Sequence, residues 1–335
     1  MNTSKELVLD EKATLTFKLE NKRAVASGIL ETASTTFILL IAVRVFNANP
    51  TVKWLVSSGD SIGFLLSPFV VALITSLKLR TTKGAAVFAA FGFIAYLIAA
   101  LSNNIWLFVV GSMVGACCRT VIIPINTQIY QDNYPDDSRG KLYSKSSFIK
   151  LVTTAIFSYV AGRFLELELS FYYLLLLIFS FAHLLSYHLL RKCPGRFIKR
   201  NKTSLFQGFQ YLKHDSIFRN TLACWMLMGF ANLIMLPLRV EYLANPKYHL
   251  NLSETYIAIL VSVIPSIIRI IITPVWGKLF DRMNFFTLRF VANMGFVIGI
   301  LSFFTSTSYW GLILGSIFYG IAHAGGDVAW NLWVT

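Results

Sequence analysis

Three ionisable side chains stand inside long apolar runs: Glu31 in "ASGILETASTTFILL", Arg119 in "VGACCRTVIIPI" and His323 in "YGIAHAGGDVAW". An ionisable group at mid-bilayer depth costs about 2.5–3.5 kcal/mol on insertion scales, so each position calls for a purpose. An arginine with an acid and a histidine can hold an anionic or zwitterionic solute, and a carboxylate such as Glu31 can carry a proton. At 1.5 Å of rise per helical residue, Glu31 lies about 10 Å and Arg119 about 16 Å from the tail-side ends of their runs. Both side chains are long enough to meet if their helices are neighbours. The other use of such a pair is structural, an ion pair that holds two helices together.

Other charges flank the runs. Arg44 and Asp60 differ in depth by about 6 Å and form a candidate pair at the outer rim. Arg269 can snorkel to the interface or meet Asp327. His183 and His188 fall in the sixth run. A short loop, "WGKLFDRMNFF", crowds Gly277, Lys278, Asp281 and Arg282 between two apolar runs, with Arg289 just beyond it. A glycine there would allow close helix approach. Cys117, Cys118, Cys193 and Cys224 have no metal-binding or redox spacing and read as small buried hydrophobes. No H-E-x-x-H, G-x-S-x-G or nucleotide-binding pattern is present, so neither a cofactor nor an enzymatic reaction is expected.

The elements that must position these residues are membrane helices. The chain is 56% hydrophobic and only 14% charged, against about 25% charged in soluble domains. Its apolar residues gather in runs of about 20, the length that crosses a bilayer core, rather than in the short alternating segments of a barrel. Ten spans are expected: 24–46, 54–77, 84–101, 105–130, 146–164, 170–190, 218–240, 253–275, 287–305 and 308–331. With the N-terminus in the cytoplasm, 22 of the 30 Lys and Arg residues fall on the inner side and four on the outer. The net charge of +14 therefore reports topology and contact with anionic lipid rather than a nucleic-acid partner. A basic stretch, 191–217, divides a six-helix bundle, 24–190, from a second bundle, 218–335. Residues 1–23 form a polar cytoplasmic tail with no signal-peptide h-region. Within the basic stretch, "SLFQGFQYLKHD" is either an amphipathic surface helix or a tether.

The second bundle repeats the first. The Gly-Ser pair at 111–112 matches that at 315–316 at an offset of 204, and Ser67-Pro68 matches Thr273-Pro274 at 206. Duplicated helical halves are a common build of secondary transporters. "GKLFDR", placed between the second and third helices of the second half, resembles the loop signature of the major facilitator superfamily. That resemblance implies an all-α polytopic fold of two pseudo-repeated bundles. It implies secondary active transport of a small polar or anionic organic solute by alternating access, with a proton or ion coupled. It places Glu31 and Arg119 on one wall of a central cavity, with Asn232, Trp225 and His323 opposite, and His183 and His188 toward lipid. It makes Gly277, Asp281, Arg282 and Arg289 a gating motif. Asp281 would sit against the N-terminal end of a helix in the other half, worth about 0.3–2 kcal/mol. Arg282 or Arg289 would pair with Asp327. The implied location is the cell (inner) membrane. The superfamily has twelve spans, so two helices are expected beyond the ten here. Multidrug-type efflux, and a non-transporting membrane protein or polytopic enzyme, are the alternatives.

Overall fold

The computed structural model describes residues 10–198, 212–280 and 282–333, and side chains at 228, 232, 233, 285 and 329–333 are left aside. Ten long helices run through them: α1 Glu11–Arg44, α2 Pro50–Ser76, α3 Thr81–Leu101, α4 Ile105–Asn133, α5 Arg139–Leu167, α6 Tyr172–Lys192, α7 Ser216–Ala244, α8 Glu254–Phe280, α9 Phe285–Phe304 and α10 Tyr309–Trp333. Nine of these spans are long and apolar enough to cross a membrane. The tenth, α10, carries the polar residues His323 and Asp327 among its glycines. Large apolar side chains cover the surface: Leu65, Leu101 and Trp310 are all more than two thirds exposed. In water that surface would be a severe aggregation liability; in lipid it is the expected one.

Each expected span is a helix, but the first begins earlier. α1 starts at Glu11, where Asp10 Oδ1 accepts from Ala13 N at 2.6 Å, rather than at residue 24. The extension is fixed by polar contacts that a disordered tail would lack. Lys12 Nζ donates to Asp132 O at 2.7 Å, and Arg23 Nη2 donates to Glu20 at 2.6 Å and to Tyr130 Oη at 3.0 Å. Asn133 donates to Thr16 and to Pro194 O, which pins the first residues after α6 to the same cluster. Cys193 is held there beside Thr16, and burial pushes its thiol up to about 11. The segment "SLFQGFQYLKHD" lies largely outside the described residues.

Contacts group the chain into two compact units that cut across the sequence halves. One comprises Met1–Leu30, Leu55–Ser147 and Leu176–Ile234; the other comprises Glu31–Trp54, Phe148–Leu175 and Met235–Thr335. In the first, Ile74, Ala85, Ala89, Ile122, Ile125 and Leu190 pack into a buried cluster of α2, α3, α4 and α6. In the second, Trp276, Leu288, Ala292, Ala324 and Val328 do the same for α8, α9 and α10.

The internal repeat has a packing counterpart. Among the described residues α3–α4 and α9–α10 are the most extensively packed helix pairs. A Cβ placed on Gly111 of α4 would come 2.5 Å from Ala95 O of α3, and one on Gly315 of α10 would come 2.7 Å from Phe303 N of α9. The two glycines at the 204-residue offset thus do the same thing in their own units: each lets two backbones approach where a side chain would clash.

Gly315→Ala should lower the thermal midpoint of the detergent-purified protein, because the neighbour it strikes is backbone; overpacking of this kind costs about 1–3 kcal/mol. Gly277→Ala, where an added Cβ meets no described atom within 4 Å, should leave the midpoint within about 0.5 kcal/mol of the parent. Cys193 should react with maleimide about 100-fold more slowly than an ordinary thiol at pH 8, its rate rising with pH as the thiolate forms.

Candidate functional site

Four helices of the second unit bring five ionisable side chains together. Arg269 of α8 donates from Nη1 to Glu31 Oε1 of α1 at 3.0 Å, and from Nη2 to Asp327 Oδ2 of α10 at 2.7 Å. Lys150 Nζ of α5 lies 2.9 Å from the other oxygen of Glu31. His323 Nε2 lies 3.8 Å from the other oxygen of Asp327, one helical turn back along α10. Arg269 and Glu31 are the most buried members, at 8% and 12% exposed, while Lys150 and His323 are about a third exposed and Asp327 41%. With His323 neutral the group carries two positive and two negative charges. A balanced set is what a low-dielectric site tolerates, since an unpaired charge there is penalised by several kcal/mol.

Local irregularity surrounds this cluster. Two residues after Glu31, α1 widens into a π-helical segment, Ala33–Phe37; α8 does the same at Ile259–Val263. The two segments face each other. Thr36 Oγ1 and Ser262 Oγ are 2.7 Å apart, Thr35 Oγ1 is 3.2 Å from Ser262 Oγ, and Thr35 donates back to Glu31 O. π-Segments of this kind concentrate at functional sites because they re-aim side chains without ending a helix.

A second set of contacts in the same unit joins helices before residue 192 to helices after residue 216. Arg44 lies 3.3 Å from Glu254 and donates to Asn251 and to Leu252 O. Lys53 pairs with Glu241 at 2.7 Å, and Thr255 donates to Glu166. Between them, a Cβ on Gly162 of α5 would come 2.9 Å from that of Ala258 of α8. In the first unit Arg119 of α4 pairs with Asp60 of α2 at 2.6 Å. Gly59 and Gly63 make that possible: Cβ atoms there would come 2.6 Å from Met113 O and Cys117 O of α4.

Several expected partnerships are therefore replaced. Glu31 takes Arg269 and Lys150, and Arg119 takes Asp60. The rim pair Arg44–Asp60 gives way to Arg44–Glu254, because the glycine stripe of α2 brings Asp60 onto α4. Asp327, expected to meet Arg282 or Arg289, is held by Arg269. Arg289 reaches Gly326 beside it, and Arg282 is exposed. A Cβ on Gly277 would meet no described atom within 4 Å, so among the described residues no close approach accounts for it. His183 does not face lipid. It is 1% exposed, stacked on Tyr96 at 5.7 Å and packed against Gly92, which leaves the room a ring needs. The Asn232 side chain and Asp281 lie outside the described residues. Lys150 was not singled out from sequence. Arg269 was noted only for Asp327, although the depth argument applied to Glu31 applies equally to an arginine inside "VIPSIIRIIITPV".

With nine described helices long and apolar enough to cross a membrane, an internal repeat and a cluster of charges among them, the chain is an integral membrane protein. It belongs to the Major Facilitator Superfamily, whose family model matches residues 24–335. Its fold is similar to that of the nucleoside transporter NupG, at 14% identity and a TM-score of 0.72, covering 95% of this chain and 82% of that one. It is similar to the xylose transporter XylE from E. coli, at 19% identity and a TM-score of 0.61, covering 96% and 82%. A bacterial homolog of the human lysosomal transporter Spinster aligns at 14% identity and a TM-score of 0.65, covering 95% and 75%. At such identities these likenesses establish the fold alone. No curated protein matches the chain in sequence.

Arg269→Gln should destabilise the purified protein by about 3–5 kcal/mol, because it leaves two carboxylates without their buried cation. Adding Glu31→Gln to it should recover a measurable part of the lost thermal midpoint. A simple hydrogen-bond role for Arg269 predicts no such recovery.

Proposed function

We propose that the protein is a secondary active transporter that moves a small polar or anionic organic solute across the inner cell membrane by alternating access, coupled to a proton. The observation that carries this reading is Arg269 buried between Glu31 and Asp327, with no net charge in the cluster. Protonating either carboxylate releases one side of the guanidinium and leaves the group at +1. The anionic group of a solute then restores neutrality and takes the vacated hydrogen bonds, which charge-assisted pairing favours. Solute and proton thus enter together without a net buried charge.

The second contact set supports alternating access. With the N-terminus cytoplasmic, α1 ends at Arg44 on the outer side, and so do the residues that join it there: Lys53, Glu166, Glu241 and Glu254. These pairs, with the Gly162–Ala258 approach and the Thr36–Ser262 contact, close the outer end. Opening outward breaks these few ion pairs, a cost that solute binding can meet by favouring the open state. The loop motif Gly277, Asp281, Arg282 and Arg289 would act at the inner end.

Reconstituted vesicles tested with organic anions, neutral sugars and lipophilic cations, with and without a pH gradient, test this reading. Uptake of an anion should rise with an inward proton gradient, and Glu31→Gln should cut that gradient-driven uptake at least tenfold. Transport of lipophilic cations alone, indifferent to Glu31 and Asp327, would refute the assignment. The pair Thr36→Cys and Ser262→Cys, close enough for a disulfide, should stop transport on oxidation and regain it on reduction.

A further inference from the structure

Arg239 of α7 is fully buried, at 2% exposed, and pairs with no carboxylate among the described residues. A desolvated cation in such a place needs other partners. Two are aromatic: the guanidinium carbon lies 4.7 Å from the Phe303 centroid and 4.4 Å from that of Tyr319. Two are polar: Nη2 donates to Ser316 Oγ at 3.3 Å and to Leu260 O at 3.1 Å. The last of these is a backbone carbonyl inside a membrane helix, which its own helix would ordinarily satisfy.

The helix cannot do so here. Leu260 lies in the π-helical segment Ile259–Val263 of α8. A carbonyl accepts from the N–H four residues on in an α-helix and five residues on in a π-helix. Four residues on is Ile264, whose N–H bonds to Ile259 O instead. Five residues on is Pro265, which has no N–H. Both intrahelical donors are spent or missing, and a buried carbonyl left without a donor is costly. Arg239 supplies the donor from another helix. Pro265 is itself buried, and α10 closes on it: a Cβ on Gly320 would come 3.1 Å from Pro265 Cα.

The π segment decides which neighbour each part of α8 faces. Before it, Glu254 lies 3.3 Å from Arg44 of α1, and Thr255 donates to Glu166 of α5. Within it, Ser262 Oγ meets Thr36 Oγ1 at 2.7 Å. After it, Arg269 holds Glu31 and Asp327. A π turn carries about one residue more than an α turn, and each α-helical residue accounts for about 100° of rotation. Relaxing the segment to α would turn the part before it against the part after it by up to that angle. The earlier contacts could not then be kept together with those of Arg269.

We propose that Arg239 is a positioning residue for the contact between α1 and α8. It supplies the hydrogen bond that Pro265 denies to Leu260, holds α8 in its π form, and so keeps Ser262 on Thr36 while Arg269 stays with Glu31. Without the guanidinium, the Ile264 N–H is drawn back to Leu260 O, which is the α pattern, and Ser262 turns away from Thr36.

Two measurements on the detergent-purified full chain test this. The first is a double-variant cycle in thermal midpoint over Arg239→Met and Pro265→Ala. The alanine restores a backbone N–H beside Leu260 O, so Arg239→Met should be less destabilising in the Pro265→Ala background than in the parent, by at least about 3 °C. The second reads Ser262 directly, as the rate at which the pair Thr36→Cys and Ser262→Cys forms a disulfide. Cross-linked peptides counted by mass spectrometry keep the native cysteines out of the reading. Arg239→Met should slow that rate about tenfold, because the two Cβ atoms leave disulfide range. An equal effect of Arg239→Met in both backgrounds, or a parental cross-linking rate in Arg239→Met, would overturn the proposal and leave the guanidinium a staple between α7 and the rings of α9 and α10. Should Arg239→Met alone not fold, recovery of folded protein in the double variant supports the proposal, and a double variant that also fails to fold overturns it. Neither readout uses a transported solute, so failure of the transport reading would leave both results standing.

Discussion

One guanidinium organises the site. Arg269 comes from the middle of α8, where a charge is tolerated only if it is paired, and it is paired twice. Each carboxylate that holds it belongs to a different helix, so a single buried cation fixes the relative depth and rotation of α1, α8 and α10. Lys150 extends the same constraint to α5. The adjoining π-segments fit this picture. A straight α-helix would carry Thr35, Thr36 and Ser262 around the helix axis, whereas the widened turns let their hydroxyls meet beside the ion pairs. An arrangement held by charge is also one that a proton can release, which distinguishes it from a purely apolar core.

The two sequence halves solve the same packing problem with opposite signs. In the first, Asp60 of α2 meets Arg119 of α4; in the second, Arg269 of α8 meets Asp327 of α10. Counterpart helices carry the acid in one half and the base in the other. The glycines that let the helices close, Gly111 and Gly315, sit at the repeat offset. The backbone approach, which tolerates no side chain, is the same in both halves, while the charged positions differ. The first half keeps its ion pair partly exposed, and the second buries its arginine and adds a second acid.

The membrane fold was legible because it depends on run length and charge asymmetry, which a sequence displays openly. All ten expected spans are helices, and the exception at the start of α1 came from a polar stretch whose burial depends on Tyr130 and Asn133, far away in the chain. Depth singled out Glu31 for its cost in the membrane, and in the structure Glu31 shares a cluster with His323 through Arg269 and Asp327. It failed on partners. Depth gives height along a helix but not rotation about it, so Arg119 and Arg269 were equally eligible for Glu31. Rotation is set by the small residues: Gly59 and Gly63 turn Asp60 toward α4. His183 illustrates the same limit, since only the missing side chain at Gly92 reveals the space reserved for its ring.

The central claim is that an anionic solute and a proton enter the Arg269 cluster together. Calorimetry of an organic anion binding to the purified protein, repeated in buffers of different ionisation enthalpy, counts the protons taken up on binding. The account predicts close to one proton at neutral pH, falling to zero in Glu31→Gln with Asp327→Asn. Binding of the anion with no proton uptake, and with the same affinity in that double variant, would contradict it.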